Sequence, residues 1–172
     1  MTICDGLLSQ FAYEIDATRT LFSRIPDSIA GWTPHPKSTR VGDLALHIAG
    51  IVGWAVPTMN QPELDLAPPG GPAYAPPAFT SMAATIALLG QNAAQARAAI
   101  SGKPDQAMME PWTLKAGGQA IFTQPRIAVM RSFVLSHIIH HRGQLTVYLR
   151  LKDIPLPPIY GPTADEGVPG AG

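Results

Sequence analysis

The sequence contains one cysteine, Cys4, among its 172 residues. That excludes an intramolecular disulfide and a zinc site made of thiolates alone, and it suits a reducing compartment. Cys4 reads as a small apolar filler near a terminus, with a reactive thiol as the alternative. Charge is scarce as well: 14% of residues are charged, against about 25% in an average domain. Lys plus Arg and Asp plus Glu number 12 each, for a formal net charge of zero. A chain without a basic excess lacks the electrostatic footprint of a nucleic-acid or anionic-membrane partner, so neither is expected. Long hydrophobic runs are missing too. The longest apolar stretch, Val41 to Val56, carries Asp43 and His47 and is shorter than the ~20 residues of a membrane span. Asp5, Glu14, Asp16 and Arg19 stand where a secretory signal would place a basic start and an apolar block, so a cytoplasmic protein is expected.

Apolar residues, proline and glycine are plentiful. Hydrophobic residues make up 46%, too many for a disordered chain, while 18 prolines and 16 glycines would interrupt a long coiled coil or a continuous sheet. The length suits one domain. All 18 prolines fall outside four windows, 1–25, 39–56, 80–101 and 126–152, each long enough for a helix. In the first, Leu7, Leu8, Phe11, Ile15, Phe22 and Ile25 recur at three- and four-residue spacings until Pro26 ends the pattern. The second opens at Ser38 or Thr39 as N-cap and runs through Val41, Leu44, Ala45, Ile48, Ile51, Val52 and Ala55 to Pro57. The third, from Thr80 or Ser81 to Ile100, is rich in alanine and is stopped by Gly102 and Pro104. The fourth follows Pro125 and carries Ile127, Met130, Val134, Ile138, Leu145 and Leu149.

An all-α four-helix bundle over residues 1–154 follows, with a long crossover connection. Residues 57–78 hold seven prolines; a connection of that length suits a crossover and either serves only that purpose or shapes a pocket mouth. Within 110–124, the segment Trp112 to Phe122 predicts a small β-hairpin about Gly117-Gly118. The tail, 155–172, has nine Pro or Gly in 18 residues and is expected to be extended or frayed.

Five histidines occur, and three, His137, His140 and His141, lie within five residues of the fourth helix. Residues four apart on a helix are about 40° apart in angle and one turn removed, so His137 and His141 can reach one point beside it. His137 and His140, about 60° apart, form a competing pair. Two ligands from one helix need a third from elsewhere. His47, within the second helix between Leu44 and Ile48, is the best candidate: that helix should face the core, where an imidazole needs a hydrogen-bond partner or a metal. His35, between Pro34 and Pro36, reads as an exposed loop residue. The alternative to a metal site is a set of satisfied structural histidines or a solvated helix face. Gly143 calls for a reason, because mid-helix glycine costs roughly 1 kcal/mol relative to alanine; close approach of another backbone is one.

Leu44-Ala-Leu-His47-Ile-Ala, followed late in the chain by His137-Ile-Ile-His140-His141-Arg142-Gly143-Gln144, resembles the DinB/YfiT-like metalloenzyme family. Ile25-Pro26-Asp27 with Trp32-Thr-Pro-His-Pro-Lys-Ser38 is similar to that family's segment between its first two helices, and Pro157 to Glu166 resembles a tail of one branch. The resemblance implies an up-down-down-up bundle, usually a homodimer, with one divalent metal ion, commonly nickel or zinc, held by His47, His137 and His141. It also implies a low-molecular-weight thiol as possible co-substrate, since characterised members include thiol-dependent transferases and an isomerase.

Three neutral imidazoles leave a divalent ion its full charge and at least one open position, where zinc lowers the pKa of water to about 7 and deprotonates a thiol. A metal-dependent enzyme acting on a small-molecule substrate, by activating a thiol or water, is therefore expected, and the resemblance implies a thiol-dependent transferase first. A metal-dependent hydrolase and a non-catalytic metal-binding, stress-related dimer are the alternatives. Low charge also favours a homodimer by leaving uncharged surface to cover. The candidates for the substrate pocket are Trp54, Arg142, Gln144 and Tyr160. Trp54 stands two turns after His47, Arg142 offers a charge for an anion or an ion pair, Gln144 offers a hydrogen bond across helices or to a histidine nitrogen, and Tyr160 offers a weak acid from the tail. Trp32 and Trp112 read as packing residues. No carboxylate stands at a spacing that identifies a general base, so the catalytic residues stay open.

Overall fold

In the computed structural model, which describes residues 2–167, Thr2 opens helix α1 (Ile3–Phe22) with a reciprocal cap. Its hydroxyl accepts from the Asp5 amide, and the Asp5 carboxylate accepts from the Thr2 amide. Leu7, Phe11, Ile15, Leu21 and Phe22 form the buried face of α1. Cys4 is buried and donates to the Ile100 carbonyl, in keeping with a filler role.

Helix α2 (Val41–Gly53) starts at Arg40 with no side-chain cap, in place of the Ser38 or Thr39 cap expected. The Val41 and Gly42 amides donate to the Trp32 and Ala30 carbonyls at 3.0 and 2.9 Å, so the loop backbone satisfies the first-turn donors. After a break at Trp54, helix α3 (Ala55–Asn60) carries the path past Pro57. Proline is tolerated there because a first-turn N–H has no intrahelical partner to lose. Together Val41–Asn60 is apolar and long enough to cross a membrane by length and composition, yet 56% of its apolar window is buried in the protein interior.

Ser81 caps helix α4 (Met82–Ile100) by accepting from the Ala84 amide, and Asp27 accepts from the Met82 amide. Asn92 of α4 donates to the Ala49 carbonyl of α2 at 2.9 Å. Gly53 makes the approach possible: a Cβ there would come within 3.2 Å of the Asn92 amide. Helix α5 (Asp105–Met109) is a single short turn before the sheet.

The fourth window is not one continuous α-helix. It comprises α6 (Arg126–Val129), a π-helical segment (Met130–Ser136) and α7 (His137–Arg150). Met130, Val134 and Ile138 are all fully buried at four-residue intervals. Helices of about 3.6 residues per turn would carry that spacing off the core face, and the wider π-turn absorbs the drift. The long helices pack in a ring of contacts, α2 against α4 and α7, and α1 against α4 and α7.

Beside the helices lies a small three-stranded sheet ordered β1 (Glu63–Asp65), β2 (Pro111–Ala116), β3 (Gln119–Pro125). The β2–β3 hairpin turns on Gly117 and Gly118, both at positive φ (61° and 77°), as the sequence predicts. Strand β1 was not expected. It pairs parallel to β2, Leu64 opposite Leu114, and Asp65 secures it by accepting from the Ala67 and Gly118 amides at 2.9 and 2.8 Å. The protein is thus mostly helical with a minor sheet.

The tail is extended but, as far as Gly167, not frayed. Asp165 accepts from the Leu156 amide and pairs with Arg150, and Glu166 pairs with Arg24 at 2.6 Å. Residues 168–172 of the tail lie outside the described residues. Gly143 has no close neighbour: a Cβ there meets nothing within 4 Å, so the backbone-approach explanation does not hold. Gly143→Ala should therefore stabilise the protein by about 0.5–1 kcal/mol in urea unfolding; a loss of stability would show that this face is packed in solution.

Candidate metal centre

Helices α2 and α7 bring His47, His137 and His141 together, with one ring nitrogen of each lying within 4.8 Å of the others. His47 Nε2 and His137 Nε2 are 3.4 Å apart. Nitrogens bound to zinc at about 2.0–2.1 Å in a tetrahedron stand about 3.3 Å from one another. One pair is already at that spacing, and the widest needs to close by at most about 1.5 Å, within reach of side-chain rotation. The donor set fits a divalent first-row ion, and the residues that would hold it are the three singled out in the sequence. His140 is exposed and lies outside this cluster, and His35 sits in an exposed loop, accepting from the Lys37 amide.

A contact behind the His141 ring fixes which of its nitrogens faces inward. His141 Nδ1 is 2.7 Å from Gln144 Oε1 one turn on, which leaves Nε2 free. Gln144 therefore contacts a histidine nitrogen and does not bridge helices. The His137 ring turns its Nε2 toward His47. Outer contacts like that of Gln144 orient ligands and raise their basicity, and their loss commonly weakens metal binding 10- to 100-fold, so Gln144→Ala should lower affinity by about that factor. Calorimetric titration of metal-stripped protein checks it; unchanged affinity would leave Gln144 with no orienting role.

Burial, followed by the neighbouring imidazoles, holds His137 down to about 4 and lowers His47 as well. Burial and the neighbouring rings both disfavour the charged forms of His47 and His137, so in the metal-free protein these two rings favour their neutral, ligating form. In the unfolded chain a histidine titrates near 6.5, so between that value and about 4 the unfolded state binds more protons at His137. Stability of the metal-free protein should accordingly fall as pH falls through this window and level off below it. Urea midpoints of wild type and His137→Ala across the window isolate the effect: the variant should show the shallower decline, and equal slopes would contradict it.

His47 does not face the core. It is exposed on the flank of α2, while Leu44, Ala45, Ile48 and Ile51 take the buried side. This places the cluster at an opening, with one pocket on either side of His47. The larger, about 380 Å³, is lined by Thr39, Asp43, Leu44, His47 and His141. The smaller, about 210 Å³, is lined by Leu46, Ile51, Trp54 and Tyr74. Pro76 and Pro77 wall both, so the proline-rich connection shapes the pocket mouth. Trp54 lines the smaller pocket together with His47. Its ring meets Phe133 at 5.0 Å, and Phe133 in turn meets His137 at 5.8 Å and Phe122 of β3 at 5.3 Å, so the sheet buttresses the site. Trp112 is buried and Trp32 packs edge-on against Tyr148, both as packing residues.

Arg142 and Tyr160 are placed elsewhere. Arg142, 1% exposed, pairs with buried Glu14 at 2.6 Å and donates to the Glu14 carbonyl and to the Tyr160 hydroxyl. The Tyr160 hydroxyl also donates to the Glu14 carboxylate at 2.8 Å. The cluster joins α1, α7 and the tail, and neither residue lines the pockets at the histidines. Asp43 and Tyr74 line the pockets without having been expected there. Asp43 stands four residues before His47, a spacing that puts both on one helix face; Tyr74 lies in the irregular connection, which has no periodicity to read.

A three-histidine cluster at the mouth of a two-lobed pocket, on a mostly helical scaffold, defines a candidate metalloprotein. Residues 10–145 match the model of the DinB superfamily, and the chain belongs to that family. It is 28% identical over 165 residues to the uncharacterized protein YrdA of Bacillus subtilis (strain 168), covering 94% of this chain and 90% of that one. Its fold is similar to the crystal structure of a DinB-like protein from Bacillus cereus ATCC 10987, with a TM-score of 0.66 and 21% identity over 91% of this chain and 97% of the other. A DinB-like protein of Bacillus subtilis, YjoA, also has a TM-score of 0.66, with 17% identity over 90% of this chain and 96% of the other.

Proposed function

We propose that the protein is a metal-dependent enzyme in which His47, His137 and His141 hold one divalent ion, nickel or zinc, and that it transfers a small cellular thiol to a small-molecule electrophile. The observation that carries this reading is the convergence of three ring nitrogens within 4.8 Å at a pocket mouth. A divalent ion held there supplies Lewis acidity that favours the anionic form of a thiol or of water. Gln144 holds the His141 tautomer in place. Leu46, Trp54, Pro76 and Pro77 give one side of the site an apolar wall. Asp43 lines the larger pocket with His47 and His141, and in this reading its carboxylate accepts a substrate proton. The ring of helix contacts supports an up-down-down-up four-helix bundle, and we place the enzyme in the cytoplasm as a homodimer.

The test compares metal-loaded and metal-stripped protein for thiol consumption with a panel of electrophiles, alongside ester and amide hydrolysis. Metal-dependent loss of thiol is expected. Hydrolysis alone would shift the reaction to water activation, and no metal-dependent turnover of any kind would make the site a binding module. A solution mass of one 18.2 kDa chain would contradict the dimer.

A further inference from the structure

The smaller lobe beside His47 has a definite size and chemistry. Its volume, about 210 Å³, exceeds that of an engineered apolar cavity of about 150 Å³ that takes up benzene, so it accommodates one aromatic ring with a short substituent. The lining is apolar apart from His47 and the Tyr74 hydroxyl, and Trp54 and Tyr74 supply two aromatic rings. Trp54 and Tyr74 stand 6.2 Å apart at an interplanar angle of 89°. A third ring entering that corner can lie against one face and meet the edge of the other, the arrangement aromatic quadrupoles favour. Gly50 keeps the floor open: a Cβ there would lie 3.9 Å from the Tyr74 hydroxyl, so a larger side chain would project into the lobe. Because His47 lines both lobes, a ring seated here would hold its substituent at the histidines.

We propose that this lobe is a subsite for a single aryl ring, and that the small-molecule substrate carries that ring on a short substituent. The identity of the substrate rests on the metal-site reading, whereas the ring subsite itself does not need the metal. The polar lobe with Thr39 and Asp43 is left for the second reactant.

The experiment is ¹⁹F NMR titration of 4-fluorobenzyl alcohol into metal-stripped and metal-loaded protein, with the metal content of every variant measured in parallel. Saturable broadening is expected in both forms. Gly50→Leu should weaken it about tenfold or more by filling the lobe, at unchanged metal content. Tyr74→Ala, on an exposed connection, should weaken it about two- to tenfold by removing one ring of the corner. Cyclohexylmethanol should compete about two- to tenfold less well than benzyl alcohol. Absence of saturable binding, or binding indifferent to both substitutions, would overturn the subsite, as would equal competition by the saturated ring. Ring binding without metal binding would sink the metalloenzyme reading and spare the subsite; metal binding without ring binding would do the reverse.

Discussion

Alanine at both His137 and His141 should strip the protein of its metal and leave the fold standing. The two residues supply two of the three inward-facing nitrogens, and His47 alone on α2 is a single imidazole on an exposed flank. An isolated imidazole does not retain a divalent ion through purification, so metal content should fall from about one equivalent per chain to below about a tenth of that. The fold should survive because both side chains are only half-buried and neither belongs to the hydrophobic core. Burial also opposes the charged form of His137, so removing that ring relieves a cost at low pH. Elemental analysis of protein purified without chelators, paired with far-UV circular dichroism, measures both halves of the prediction. A double variant that kept a full equivalent would put the metal elsewhere.

Arg142→Ala should be among the most destabilising single changes in the chain, costing about 3–5 kcal/mol by leaving the Glu14 carboxylate buried and unpaired. Glu14 and Arg142 are 4% and 1% exposed, and the guanidinium also holds the Glu14 carbonyl and the Tyr160 hydroxyl. At about 2–4 °C per kcal/mol for a chain of this size, Tm should drop on the order of 10 °C. Glu14→Leu combined with Arg142→Met removes both charges and should recover most of the loss, because a buried pair is far cheaper to replace whole than to halve. If the double variant were as unstable as the single, packing and not the stranded charge would account for the effect. Since Arg142 adjoins His141, the same clamp fixes the rotation of α7 that brings the histidines to α2.

Much of this arrangement was legible in the sequence, because proline and apolar periodicity are local signals. The positions of α1, α2 and α4, the Gly117-Gly118 hairpin and the histidine trio could all be read from spacing or resemblance. What could not be read depends on partners distant in the chain. Strand β1 is three residues long, too short to show alternation, and exists because β2 offers it an edge. The π-segment hides behind buried residues whose spacing passes for α-helical. His47 was expected inside because its helix is apolar, but which flank of α2 meets α7 and the 74–77 segment is a tertiary fact. Arg142 adjoins a metal-site histidine in sequence yet points about 100° away from it around the helix, toward α1. Tyr160 was read as a residue of a loose tail because nothing in a proline-rich segment announces a buried carboxylate at Glu14.

The most direct test of the metal site is anomalous X-ray scattering from crystals of metal-replete protein, with data collected on either side of the nickel and zinc edges. One peak per chain should lie within about 2.0–2.1 Å of Nε2 of His47, His137 and His141. A peak held by His140, a peak remote from His47, or none in protein shown by elemental analysis to contain metal would contradict the account.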